Sequence, residues 1–246
     1  MGCPAVSTLS PRYRGVLDSR FCQMQELDDI TLNMGRARKR SLSPGDSSND
    51  DLHGNAPDRS PVVLLLVDVI NDLKFPKNEK LVRECGELGK HIAALKRRCK
   101  KAEIPTIYVN DNRGKWRSDF SEVVRQCLHR SAPGRRMVKQ LVPETPDYIV
   151  LKPKHSAFYA TPLDVLLEYI GVQTVIIAGI TTNACVMITA SDVYVRDFRL
   201  LVPSDCVAAL SDSEQRDALK LMEANFGADT TPSTQLDLSA LQKRRS

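Results

Sequence analysis

Three residues of complementary chemistry stand at the ends of apolar runs in this sequence. The run VVLLLVD closes on Asp68, YIVLK closes on Lys152, and TVIIAGITTNAC carries Cys185 at its end. A thiol is a strong nucleophile once its proton is gone. A carboxylate can take that proton and later return it to a leaving group. A nearby ammonium favours the thiolate, as does the positive end of a helix that begins at the cysteine. Each residue type also has a plainer use. A strand-terminal Asp often only caps a turn, a lone Lys is usually solvated and a lone Cys usually packs in a core. Nucleophilic hydrolysis follows only if one edge of the fold gathers all three.

The surrounding pattern supplies such an edge. Val62 to Val67 is a continuous β-branched and Leu run, as expected of a strand covered on both faces. Leu81 to Lys101 has helical spacing, and Ile104 to Val109 reads as the next strand. Asp119 to Leu128 reads as helix and Tyr148 to Leu151 as strand. Thr161-Pro162 opens a helix that runs to Ile170 and stops at Gly171. Thr174 to Ala178 and Phe198 to Val202 read as strands, Asn183 to Arg196 and Ser213 to Ala224 as helices, with a further strand expected around Ala228. This alternation predicts an α/β fold: an open, mostly parallel five- or six-stranded sheet with helices on both faces. In such sheets ligands bind beyond the carboxyl ends of the strands, where Asp68, Lys152 and Cys185 fall.

Composition narrows the class. The 246 residues carry 35 Lys and Arg against 30 Asp and Glu, a net charge of +5 that is too dilute for a nucleic-acid surface. The longest apolar run has six residues (VVLLLV), far short of the roughly 18 that span a bilayer. Seven cysteines form no CxxC pair and no zinc spacing, which suits a reducing cytoplasm. Arg36 to Asn55 (RARKRSLSPGDSSNDDLHGN) is too polar to build a core and reads as a solvated linker. The expected organisation is a disordered N-terminal extension over residues 1–57 and one catalytic domain over residues 58–240.

The chain also resembles the isochorismatase-like cysteine hydrolases, a family that includes nicotinamidases and N-carbamoylsarcosine amidases. The matching stretches are LLLVDVINDL (64–73), VNDNRGKWRSDF (109–120), YIVLKPKHSAFYATPLDVLL (148–167) and VIIAGITTNACVMITASDVYVRDFRLLVPSDCVAA (175–209). The resemblance implies a catalytic triad of Asp68, Lys152 and Cys185, the same residues that the strand ends single out. It further implies a non-proline cis peptide between Ile180 and Thr181, with an oxyanion hole made by the Thr181 and Cys185 N–H groups. Family members that cleave a vinyl ether lack the cysteine, so its presence favours C–N cleavage of a small amide or carbamoyl substrate. Vinyl ether hydrolysis of the isochorismatase type, and a catalytically silent binding module on the same fold, are the alternatives.

Nicotinamidases hold a metal through an Asp-x-His pair and a further His after the first strand. Here FPKNEKLV (75–82) contains no His, none occurs between Asp68 and His91, and the Asp51-x-His53 pair lies upstream of the strand. No metal and no other cofactor is therefore expected. Candidate substrate-binding residues are Asn110, Asn112, Trp116 and Arg117 after the second strand, and His155 and Phe158 after Lys152, with Phe158 equally suited to packing at the helix entry. Arg117 suits a substrate carboxylate or a surface ion pair. The expected partners are a small-molecule substrate and further copies of the chain, with neither nucleic acid nor membrane.

Overall fold

A computed structural model describes residues 58–112 and 119–243. The extension expected over 1–57, with its linker and the Asp51-x-His53 pair, lies outside the described residues.

Six strands form one parallel sheet. β1 (Val62–Val67) is wholly buried, and each of its six aliphatic side chains contributes about 1.5–3 kcal/mol by leaving water. It leads into α1 (Glu79–Lys101), then β2 (Thr106–Asp111). The Asp119 side chain accepts a hydrogen bond from the Ser121 N–H and so opens α2 (Phe120–Leu128). A short α3 (Arg135–Val138) precedes β3 (Tyr148–Lys152). α4 (Leu163–Ile170) ends at Gly171, whose φ of 82° supplies the left-handed turn that a helix C-terminus favours. β4 (Thr174–Ile180) runs into a π-helical turn (Thr182–Val186) that continues as α5 (Met187–Tyr194). β5 (Arg199–Leu201), β6 (Val207–Ala208) and α6 (Asp212–Phe226) follow, then a 3-10 turn (Ser233–Gln235) and α7 (Leu238–Lys243).

The strand order is β3-β2-β1-β4-β5, with β6 pairing beside the end of β4. Alternation along the strands sorts the core into two layers. Val63, Leu65, Val67, Ile107 and Val109 pack with Leu163 and Leu167 of α4, Val193 of α5 and Met222 of α6. On the opposite face Tyr108 of β2 meets α1 through Lys96, whose Nζ is 3.2 Å from the Tyr108 hydroxyl. The open parallel sheet and its two helical layers are those expected from the sequence. The sixth strand differs: it is Val207–Ala208, whereas the region near Ala228 contributes only a single parallel bridge from Asp229 to Leu201.

β1 and β4 lie side by side, with Val67 opposite Gly179. Gly179 has φ 135°, and a Cβ placed there would sit 1.9 Å from the Val67 carbonyl oxygen. Only glycine allows this approach, and it occurs one residue before Asp68.

Candidate active site

The strand order sets the site. The chain moves outward from β1 through β2 to β3, then returns to β4 on the other side of β1, so the connections leaving β1 and β4 part in opposite directions. The crevice between their carboxyl ends is where open α/β sheets bind ligands. Asp68 leaves β1 on one side of this crevice and Cys185 leaves β4 on the other. Asp68 has φ 53°, a left-handed conformation that Asp tolerates better than most residues. Its Oδ1 accepts the Asp111 N–H at 2.8 Å, which fixes the carboxylate against β2.

Lys152 comes from β3, two strands away from β1. At about 4.8 Å per strand that is nearly 10 Å, a gap that only a long side chain closes. Its Nζ lies 2.8 Å from Asp68 Oδ2 and 3.6 Å from Cys185 Sγ, and also donates to the Lys154 carbonyl at 3.1 Å. The Lys152 side chain is 0% exposed and that of Asp68 6%, so water screens the pair little. Burial is the largest influence and works against the Lys152 charge, but Asp68, Cys185 and Asp111 together outweigh it and hold the ammonium above the ordinary lysine range.

Cys185 does not follow the expectation of a lowered thiol. It lies inside the π-helical turn, with only the following segment forming α5. Burial pushes its pKa up, the Asp68 carboxylate adds to that, and Lys152 opposes both without overcoming them; the result is about 12. Asp68 and Lys152 thus act on the sulfur in opposite directions. The peptide joining Ile180 to Thr181 is cis. The Ala184 and Val186 N–H groups both bond the Thr181 carbonyl, at 3.1 and 3.2 Å.

A cavity of about 520 Å³ opens over these groups, within the range that holds small molecules. Asp68, Cys185, Ile180 and Thr181 form its floor, and His155 lines it with Nδ1 3.3 Å from Cys185 Sγ. Asn110 also lines it, but its side chain bonds both the N–H and the carbonyl of Ile70, at 3.2 and 2.8 Å. It thus acts as a pin for the loop after β1. Asn112 is buried and not among the lining residues; its N–H donates to the Lys152 carbonyl at 3.0 Å. Phe158 does not line the cavity either. It belongs to the core packed against α4 and α5, with the Arg196 guanidinium 4.4 Å from its ring centroid. Trp116 and Arg117 lie outside the described residues.

The loop residues Asn71, Asp72, Lys74 and Phe75 complete one wall. Asn71 and Asp72 fold that loop by accepting the Leu73 and Lys74 N–H groups. Among the described residues, no group of three or more His, Cys, Asp or Glu side chains is arranged to hold a metal ion. His91, on α1, pairs with Asp205 at 3.3 Å. Among the same residues no helix is long and apolar enough to cross a membrane.

Comparison with known proteins fits this architecture. The family model of the isochorismatase domain matches residues 62–235. An uncharacterized isochorismatase family protein of Bacillus subtilis, YaaI, is 37% identical over 173 residues, covering 70% of this chain and 94% of the relative. The ureidoacrylate amidohydrolase RutB of Methylorubrum extorquens is 39% identical over 107 residues, which is 43% of each protein. The crystal structure of N-carbamoylsarcosine amidase from Thermoplasma acidophilum shares the fold with a TM-score of 0.54 at 23% identity, covering 72% of this chain and 98% of that one. The chain is a hydrolase of the isochorismatase family.

Proposed function

We propose that this hydrolase cleaves the C–N bond of a small amide or carbamoyl compound through a thioester on Cys185. One observation carries the reading: a single buried ammonium, Lys152, touches both a carboxylate and a thiol at the floor of a substrate-sized cavity. The names of two proteins to which the chain is similar, an amidohydrolase and an amidase, support the same bond class.

The steps balance as follows. Asp68 takes the Cys185 proton as sulfur bonds to the carbonyl carbon, so the raised thiol pKa matters only until attack begins. The carbonyl oxygen gains the charge and is met by the N–H groups of Thr181 and Cys185; the neighbouring Ala184 and Val186 donors are already committed. Each such donor contributes about 2.7–4 kcal/mol to lowering the barrier. Asp68 then gives its proton to the departing nitrogen, the C–N bond breaks, and a thioester remains. Water hydrolyses it, yielding the acid and restoring the thiol. Lys152 holds the Asp68 carboxyl in place between the two proton transfers.

A panel of aliphatic amides, carbamoyl amino acids, nicotinamide and isochorismate, assayed for ammonia and pyruvate, tests the assignment. Ammonia from at least one amide or carbamoyl compound is expected, abolished by Cys185→Ala. Pyruvate from isochorismate with no ammonia from any amide would replace this reading with vinyl ether hydrolysis.

A further inference from the structure

We propose that His155 is a second proton-transfer group of this site, acting as the general base on the water that hydrolyses the Cys185 thioester. The inference rests on the thioester reading and assigns a residue to its second half. Three observations carry it.

First, the sulfur has partners on two sides of different character. Lys152 and Asp68 are buried, whereas His155 is exposed, lines the cavity and still reaches Sγ at 3.3 Å. The attacking water has to come from the cavity, which Asp68 and His155 both line, and His155 is the exposed one of the two. Second, each Asp68 oxygen already has a partner, Oδ1 the Asp111 N–H and Oδ2 the Lys152 ammonium. A water at the acyl carbon would therefore compete with protein groups for Asp68. Third, His155 is held in place by its neighbours. Lys154 accepts from the Lys152 ammonium at 3.1 Å, Ser156 donates from its hydroxyl to Asp192 of α5, and the Ala157 N–H donates to Thr189 of α5 at 3.1 Å. The backbone that carries the imidazole is thus fixed between the lysine strand and the nucleophile helix, which positions a proton-transfer group.

Once sulfur is acylated it is a poor hydrogen-bond partner, and Nδ1 is released to a water. A water about 2.8 Å from Nδ1 can approach a carbon bonded to Sγ. His155 takes one water proton as the water oxygen bonds to the acyl carbon. The C–S bond breaks, the sulfur leaves with the electron pair, and the imidazolium proton passes to it. The acid departs and both side chains return to their starting states.

The test uses p-nitrophenyl acetate on the full chain, with nitrophenolate followed by stopped flow and acetyl on the Cys185 peptide by mass spectrometry. Wild type and His155→Ala should both show a burst. Loss of acetyl from Cys185 should slow about 100-fold in His155→Ala, within the range for removal of a general base, and equally in His155→Gln. Added imidazole should restore part of the rate in His155→Ala, a rescue that a purely structural role would not show. Acetyl loss at the wild-type rate in His155→Ala, or a slowed burst without imidazole rescue, overturns the proposal. Absence of acetyl on Cys185 in the wild type would instead overturn the thioester reading on which it rests.

Discussion

Two buried lysine–aspartate pairs lie in this domain, and they do different things. Lys96 of α1 sits 2.6 Å from Asp147, with side chains 9% and 6% exposed. Lys152 sits 2.8 Å from Asp68, with side chains 0% and 6% exposed. In charge, distance and burial the two are nearly alike. Their third partners differ. Lys96 meets the Tyr108 hydroxyl, which donates in turn to the Leu141 carbonyl, and burial pushes that phenol well above its usual range. The network is sealed and ties α1 to β2 and the segment before β3. Lys152 meets a thiol under an open cavity. A buried ion pair alone is weak evidence for either stability or chemistry; a transferable proton and room for a substrate make the second pair a site.

The comparison can be broken most sharply at the thiol. Cys185→Ala should lower amide turnover by about 1,000-fold or more, as loss of a nucleophile does, with little change in thermal unfolding. Retained turnover would reduce the Lys152 pair to the status of the other. Next come the lysines themselves. Lys152→Met and Lys96→Met should each cost about 3–5 kcal/mol, because each leaves a buried carboxylate unpaired. Urea unfolding measures that loss, and only Lys152→Met should also lose turnover per folded molecule.

Proton chemistry gives a third test. With the Cys185 thiol pushed up to about 12, the thiolate fraction grows about tenfold per pH unit below that value. Iodoacetamide labelling of Cys185, followed by peptide mapping, should climb steadily from pH 7 to 9. A plateau near neutrality would show that Lys152 wins over burial and Asp68. The smallest effect belongs to the sealed network: Tyr108→Phe removes one hydroxyl from it and should cost about 1–3 kcal/mol with turnover unchanged.

Much of this was legible in the sequence because the strands announce themselves. β1, buried on both faces, reads as an unbroken aliphatic run, and the alternation with amphipathic helices predicts that the strands run mostly parallel. The strand ends therefore located Asp68, Lys152 and Cys185 without coordinates. What stayed hidden depended on short elements and on competing contacts. β6 has only two residues and borrows its pairing from the end of β4. The π-helical turn at Thr182–Val186 carries no compositional mark that separates it from an α-helical start. Phe158 follows the lysine strand and so read as a pocket residue, yet the path of the chain turns it into the core. Asn110 does line the cavity, and nothing in the sequence signals that its amide also bonds the backbone of Ile70. Lys152 beside the thiol is visible in sequence, whereas the burial that pushes the thiol up is not.

In the proposed reaction Cys185 becomes covalently acylated by an amide, with Asp68 and Lys152 handling the proton and the charge. Rapid acid quench during turnover of an amide substrate, followed by mass mapping of the Cys185 peptide, tests it most directly. The account predicts that this peptide gains the mass of the substrate's acyl group, and that the gain disappears when substrate is exhausted. An unmodified Cys185 peptide in the quenched wild type, with Cys185→Ala forming product at the same rate, would contradict it.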